Sequence, residues 1–106
     1  MGIRKKGRRK IVCSDKLYIW YVDLDYDSPE YLLNIVAEDK SLILTCPLNE
    51  EYPYIVSKGK VFQNQNMDGG YHRYLLPFDV PKSITPKFVA ALIQWGTQEK
   101  DAREVS

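Results

Sequence analysis

The sequence has 106 residues, of which 44% are hydrophobic, 12% aromatic and 27% charged, and its formal net charge is +1. This length fits one domain, and the apolar and aromatic content is typical of a folded chain and not of a disordered one. No apolar run approaches the roughly 18 residues of a membrane span, and the N-terminus lacks the apolar segment of a secretory signal. We therefore expect a cytoplasmic protein that makes no contact with a membrane.

The chain begins with a basic segment. Positions 1–8 show no apolar periodicity and contain two glycines, so they are predicted to form a mobile arm before one globular domain over 9–106. Such an arm can contact the phosphates of nucleic acid or an acidic protein surface, and it is equally typical of a solvated terminus. The candidate partner-binding residues are the basic ones among the first ten: Arg4, Lys5, Lys6, Arg8, Arg9 and Lys10.

The remainder of the chain has the opposite charge. It contains nine basic and fourteen acidic residues, which gives a net charge of −5 and disfavours a broad nucleic-acid-binding face. Nucleic-acid binding is therefore expected to be weak if it occurs.

Two strands are predicted at the start of the domain. The first begins at Arg9 and ends at Cys13, and the polar residues Ser14–Lys16 form a tight turn. The second, Leu17–Leu24, has apolar residues at both alternating sets of positions. A strand of this kind is central in its sheet or covered on both faces.

The next segment, "DLDYDSPEYLLN" over Asp23–Asn34, raises the question of a calcium loop. It has aspartates at alternate positions, which are Asp23, Asp25 and Asp27. A calcium loop also needs glycine at its sixth position and glutamate at its twelfth, and these positions hold Ser28 and Asn34. The flanks read as strands, so the segment is predicted to be a solvated connection without a specific metal site.

A hairpin follows this connection. Tyr31–Glu38 is predicted as a strand, with a helix as the competing interpretation because leucine, alanine and glutamate suit one. The short turn Asp39–Ser41 favours the strand, since a second apolar run, Leu42–Leu48, comes directly after it. Pro47 cannot donate a ladder hydrogen bond, so the second strand ends there or lies at an edge.

The middle of the chain is less regular. Tyr54–Phe62 is predicted as a weaker strand that bends at Gly59. Gln63–Gly70 is predicted as a loop, because its amides, aspartate and glycines favour turns. Tyr71–Phe78 is the last predicted strand.

One helix is predicted near the C-terminus. In "SITPKFVAALIQWG", Thr85 is the cap, Pro86 the first helical residue and Gly96 the end. The tail Thr97–Ser106 is expected to fray. The apolar stripe consists of Phe88, Val89, Leu92, Ile93 and Trp95. Together the elements predict an α+β fold, a mostly antiparallel β-meander of five to seven strands with this helix packed on the sheet.

Few residues suggest a catalytic or metal-binding site. His72 shares a strand face with apolar residues, which is typical of a structural histidine, and it is a weak candidate for a pocket residue. A nucleophilic pair with Cys13 or Cys46 has no supporting turn motif. Both cysteines are predicted to be buried free thiols, although one bridge between them stays open. We expect no metal site and no cofactor.

Three segments resemble a set of small, uncharacterised single-domain bacterial proteins. They are "RKI" at Arg9–Ile11, "KLYIWYV" at Lys16–Val22 and "ITPKFVAALI" at Ile84–Ile93. Proteins of this set share the R-K-I start, the strand with tyrosine and tryptophan two apart, and the closing I-T-P helix. The set has no assigned activity, so the resemblance implies a stand-alone bacterial domain and transfers no catalytic residue.

Three functions remain open. The first is a non-enzymatic interaction or accessory module that binds another protein or a copy of itself. The second is a small nucleic-acid-associated protein that uses the basic arm. The third is an enzyme with carboxylate or His72 chemistry, for which no catalytic residue can be singled out.

Overall fold

The computed structural model describes residues 8–24, 31–48, 53–63, 65–68, 70–98 and 104–105, so positions 1–7 of the predicted arm lie outside it. The described elements are β1 (Arg9–Cys13), β2 (Lys16–Leu24), β3 (Tyr31–Ala37), β4 (Ile43–Pro47), β5 (Tyr54–Ser57), β6 (Val61–Phe62), β7 (Gln65–Asn66), β8 (His72–Leu75), α1 (Pro86–Gln98) and β9 (Glu104–Val105).

Seven of these strands form one antiparallel sheet. Their order is β1-β2-β3-β4-β5-β8-β9, and β6 pairs with β7 in a separate two-stranded sheet. From β1 to β5 each strand pairs with the next strand of the chain, which is the definition of a meander. The predicted α+β fold, an antiparallel meander with one C-terminal helix, is confirmed.

The turn between β1 and β2 is as tight as the sequence predicts. Cys13 pairs with Lys16, so Ser14 and Asp15 alone make the connection. Both have positive φ angles, 52° and 66°. Two such residues are typical of the type I′ turn, whose twist matches that of a hairpin.

The aspartate-rich segment joins two paired strands. Leu24 at the end of β2 pairs with Tyr31 at the start of β3. Asn34, where a calcium loop needs its glutamate, lies within β3 and accepts a hydrogen bond from Thr45. The described flanks are therefore strands, as predicted, and they lack the helices of a calcium-binding helix–loop–helix; positions 25–30 lie outside the described residues.

One face of the large sheet packs against α1 to form the core. The large apolar residues buried on the helix side of the central strands include Tyr18, Trp20, Leu33, Ile35, Leu44 and Ile55. The predicted helix stripe lies against them and is buried along its whole length. Phe62 stacks on Tyr74 with ring centroids 4.4 Å apart, and Trp95 meets Phe62 edge-on at 5.4 Å.

The helix begins where the sequence predicts but ends later. Thr85 caps α1, because its Oγ1 accepts a hydrogen bond from Phe88 N at 3.3 Å. The prediction that Gly96 ends the helix is wrong, since α1 continues to Gln98. Gly96 is buried against Leu44, where it allows the helix to approach the sheet closely.

The predicted loop at Gln63–Gly70 is partly structured. Gln65–Asn66 forms β7 and pairs with Val61–Phe62. The buried Gln63 side chain donates from Nε2 to Trp95 O at 3.1 Å, and its backbone amide donates to Gly96 O at 2.8 Å. A helix leaves its last carbonyls without internal partners, so Gln63 satisfies two of them and fixes the hairpin to α1.

The tail prediction is also wrong in part. Thr97 and Gln98 belong to α1, and Glu104–Val105 forms β9, which pairs with β8 at the edge of the sheet. Residues far apart in the chain make this pairing, so no local pattern indicated it. Other tail residues lie outside the described part of the chain.

The predicted bend at Gly59 and the predicted strand end at Pro47 are both present. Gly59 separates β5 from β6, so the segment bends there. A Cβ atom at Gly59 would collide with the backbone of Ser41 and Ile43, and glycine is required by this close approach. β4 lies between β3 and β5 and ends at Pro47, which settles the choice between a strand end and a strand edge.

Candidate functional site

The sheet face opposite α1 is also largely apolar. In β2 the residues that alternate with the buried Tyr18 and Trp20 are Leu17, Ile19 and Tyr21, and all three are half-buried. The sequence predicts that β2 is central or covered on both faces. It is central, between β1 and β3, but the described helix and the β6–β7 sheet lie on one face alone.

We call this second surface the open face. The register of the strands places its apolar side chains in two rows that cross the sheet. One row contains Ile19, Val36 and Ile43. The other contains Leu32, Pro47, Tyr54 and Leu75. Most of these side chains are half-buried, Pro47 is buried and Leu75 is 44% exposed. Val12, which pairs with Leu17 beside the first row, is 66% exposed.

A short polar row separates the two apolar rows. Asn34 and Thr45 pair across β3 and β4, and Thr45 Oγ1 donates to Asn34 Oδ1 at 3.0 Å. Asn34 Nδ2 also lies 3.4 Å from Leu32 O. These bonds pair the Thr45 hydroxyl, Asn34 Oδ1 and one Asn34 Nδ2 hydrogen, and Thr45 is buried at 7% exposure.

Guanidinium groups lie at both ends of this polar row. Arg8 Cζ is 4.7 Å from the centroid of the Tyr21 ring, and Arg73 Cζ is 4.8 Å from that of Tyr54. Stacking on an aromatic ring orients a guanidinium and leaves its N–H groups available at the ring's edge. Five inter-strand spacings separate the two arginines, or about 24 Å.

Cations outnumber carboxylates among the described residues of the open face. Lys10 adds a cation on β1, and Lys58 adds another just beyond β5, where its ammonium lies over the Tyr71 ring. Among the described strand residues of this face, Asp23 is the single carboxylate. The open face has two apolar rows on either side of the Asn34–Thr45 pair, with cations at both lateral ends.

The candidate residues of the basic segment divide between two faces. Arg4, Lys5 and Lys6 lie outside the described residues. Arg8 and Lys10 belong to the open face, whereas Arg9 Cζ lies 5.7 Å from the Trp20 ring on the helix side. The described members therefore do not form one binding surface.

A cleft opens beside the helix, on the other side of the sheet. Its volume is about 480 Å³, and it lies between α1 and the β1–β2 and β3–β4 turns. Polar groups line its mouth and apolar side chains its floor. Sequence patterns gave no indication of it, because its walls come from segments that are distant in the chain.

A hydrogen-bonded group of side chains lies at the cleft's mouth. Lys16 Nζ is 3.0 Å from both Ser41 Oγ and Asp39 Oδ2. The hydroxyl and amide of Ser41 donate to Asp39 Oδ1 at 2.6 and 2.9 Å. The Ser41 hydroxyl, its amide and Lys16 together hold the pKa of the Asp39 carboxyl well below its usual range. An anion of this kind is a poor general base.

His72 lies away from the cleft. Its Nε2 atom is 2.8 Å from Asp68 Oδ1, which lowers the pKa of the Asp68 carboxyl. His72 is half-buried on the same face as Tyr74, as the sequence predicts. In the part of the chain that the structure describes, no cluster of three or more histidine, cysteine, aspartate or glutamate side chains is placed to hold a metal.

The two cysteines are free thiols that do not meet. Cys13 is half-buried in β1 and Cys46 is buried in β4, and these strands are not neighbours. Burial raises the pKa of Cys46 to about 12 and also raises the pKa of Cys13. Raised pKa values keep both groups as neutral thiols near neutral pH, whereas a nucleophile requires a thiolate.

Alkylation should reveal the difference in burial between Cys13 and Cys46. In native protein at pH 8, iodoacetamide should modify Cys13 slowly and leave Cys46 unmodified, with a Cys13 rate that rises as pH increases. Mass spectrometry of the wild type and of Cys13→Ser and Cys46→Ser variants would assign each product. Rapid alkylation of either thiol below pH 7 would contradict the burial argument and would revive the cysteine–histidine pair.

Comparison of the chain with family models, curated proteins and solved structures finds no match. Within the described residues, no helix has the length and apolarity needed to cross a membrane.

Proposed function

We propose that this protein is a non-enzymatic interaction module that binds another protein through the open face. The observation that carries the proposal is a sheet whose second face is apolar in two full rows, with no described element packed on it. Soluble proteins rarely present a contiguous apolar patch of this kind unless it is an interaction site.

The size of the open face indicates the type of interface. Its width of about 24 Å and three rows at two-residue spacing give roughly 500 Å² on this chain, or about 1,000 Å² for both partners. Stable complexes bury about 1,600 Å², and smaller interfaces are typical of transient complexes. Apolar burial alone therefore supports a modest affinity, and the flanking charges have a large share in selecting the partner.

These charges favour an acidic partner over a second copy. If two copies packed face to face with aligned strands, each Arg8 would meet the partner copy's own cationic edge, and so would each Arg73. Like charges at a rim disfavour association, while complementary charges accelerate it. We therefore propose a partner surface that is apolar at its centre and carries carboxylates on both sides of it.

The proposal can be tested with defined polymers. A fluorescent glutamate–tyrosine copolymer should bind more tightly than polyglutamate of the same length, and a lysine–tyrosine copolymer should bind least, as measured by anisotropy. Arg73→Ser should weaken the first interaction by about fivefold, and Leu75→Ser by a similar factor.

Two matched variants on the other face are the controls. Lys87→Ser removes an exposed cation from α1, and Val22→Ser removes a side chain that is 42% exposed, close to the exposure of Leu75. Neither should change copolymer binding. If these variants weaken binding as much as the open-face variants do, the polymers report general charge and apolarity, and the proposal is wrong.

Other outcomes would point to the competing functions. Duplex DNA that displaces the copolymer would favour nucleic acid. If the six basic residues among positions 1–10 make the contact, affinity should fall with salt on a log–log slope no steeper than about −5, since they reach at most six phosphates at about 0.9 per phosphate. A dimer in sedimentation that Leu75→Ser abolishes would instead identify a second copy as the partner.

A further inference from the structure

The cleft beside the helix has the dimensions of a small-molecule site. Its volume of about 480 Å³ lies within the roughly 300–1,000 Å³ typical of ligand pockets. It is separate from the open face, because its strand residues, such as Tyr18, point to the opposite side of the sheet. A ligand there would leave the proposed protein-binding surface unoccupied.

Apolar side chains form the floor of the cleft. They are Leu42, Val61, Ala90 and Ile93. Gly96 also lines it and adds no side chain that would fill the space. The floor therefore suits an alkyl or aromatic body.

Two hydrogen-bond donors face this space. The Tyr18 ring is buried at 3% exposure and lines the cleft, and its hydroxyl is an O–H donor. Lys16 has three N–H donors and directs two of them to Ser41 and Asp39, so one remains. Among the described residues that line the cleft, Lys16 is the single charged one.

The walls of the cleft are held in place without a ligand. The β1–β2 turn forms one wall, where Ser14 and Asp15 have fixed positive φ angles. The β3–β4 turn forms another, and the hydrogen bonds from Ser41 to Asp39 close it. Preformed walls reduce the entropy that is lost when a ligand binds.

From this geometry we infer that the cleft binds a small organic acid, with its carboxylate at Lys16 and Tyr18 and an apolar body on the floor of Leu42 and Ile93. Lys16 and Tyr18 are two positions apart on β2 and so lie on one face of it, where each can donate to one oxygen of a carboxylate. A doubly charged phosphate fits less well, because Asp39 already neutralises part of the Lys16 charge. The C-terminal end of α1 also faces the cleft, and its partial negative charge opposes any anion, so it opposes the single charge of a carboxylate less than the double charge of a phosphate.

Three probes with the same alkyl body test the inference: octanoate, 1-octanol and octylammonium. They would be titrated against the full chain, with binding and location read from ¹H–¹⁵N chemical shifts. Octanoate should bind about tenfold more tightly than octanol, as expected for one charge-assisted hydrogen bond, and octylammonium should bind least. The shifts should map to the cleft, at residues such as Ser14, Ala90 and Thr97.

Substitutions at the mouth of the cleft should change the affinity for octanoate in opposite directions. Lys16→Met should reduce octanoate affinity to that of octanol. Asp39→Asn should increase octanoate affinity severalfold, because it releases the ammonium from its competing carboxylate. Ala90→Phe should abolish binding of all three probes by filling the cleft, and thermal melts would show whether each variant is folded.

Three results would overturn the inference. They are octylammonium binding as tightly as octanoate, shifts that map to the open face, or octanoate affinity that does not respond to Lys16→Met and Asp39→Asn. The protein-binding proposal is tested separately, by the copolymer experiment and its open-face variants.

Discussion

Replacing Trp95 by alanine should lower the free energy of unfolding by about 3–5 kcal/mol, the range for a buried large aromatic side chain. Trp95 is 6% exposed and meets Phe62 and Phe78 edge-on, with ring centroids 5.4 and 6.3 Å away. Phe88→Ala should cost a similar amount, because Phe88 is buried against Phe78 at 6.0 Å. Urea denaturation followed by circular dichroism would measure both changes.

Two further variants serve as controls for this expectation. Trp95→Phe keeps an aromatic ring and removes an indole N–H that has no partner among the described residues, so it should cost less than Trp95→Ala. Lys87→Ala changes an exposed helix residue and should have little effect. A loss below about 1 kcal/mol for both Trp95→Ala and Phe88→Ala would show that the helix stripe is not the core.

Gly59→Ala should destabilise the protein by about 2–3 kcal/mol, the cost of forcing an extra group into a closely packed site. The new Cβ would meet the carbonyl oxygen of Ser41 and would lie 2.8 Å from Ile43 N. Both contacts are with backbone atoms, one in the β3–β4 connection and one at the start of β4, which cannot move without disturbing the ladder. The change would be measured in the same urea experiment.

Gly96→Ala is the matched comparison. Its Cβ would lie 3.3 Å from Leu44 Cδ1, the end of a flexible side chain. Alanine favours a helix over glycine by about 1 kcal/mol, which offsets the small shift of Leu44. We expect a net change within about 1 kcal/mol, so equal losses at the two glycines would refute the distinction between backbone and side-chain neighbours.

Features that depend on local sequence could be predicted. The α1 start follows from Thr85 and Pro86, since capping and a fixed φ are properties of adjacent residues. The meander follows from apolar runs that are separated by short polar turns. Such signals involve a few consecutive positions, and the structure contains the predicted elements.

Features that depend on distant contacts were missed. Gly96 has the local signature of a helix end, but the structure explains the glycine at this position by the close approach of Leu44. Gln63 lies in a stretch with turn composition, but its side chain bonds to the helix carbonyl of Trp95. The pairing of Glu104 with Tyr74 likewise joins residues that no local pattern relates.

The candidate sites show the same limit. The apolar residues on both faces of Leu17–Leu24 are a signal for the open face, yet the same pattern fits a strand that is covered on both sides. The sequence singled out His72, which lies outside the cleft. The cleft residues Lys16 and Tyr18 carry no motif, because their proximity to α1 is a property of the folded chain.

The order of strands in the sheet also has a kinetic consequence. Connections of two to six residues join β1 through β5, whereas about 28 residues separate β8 from β9. Short loops close at a smaller entropic cost, so the meander should form before α1 and β9 dock. During that interval both apolar faces of the sheet are exposed to solvent. Refolding yield should therefore fall as protein concentration rises, because chains can associate before the helix covers its face.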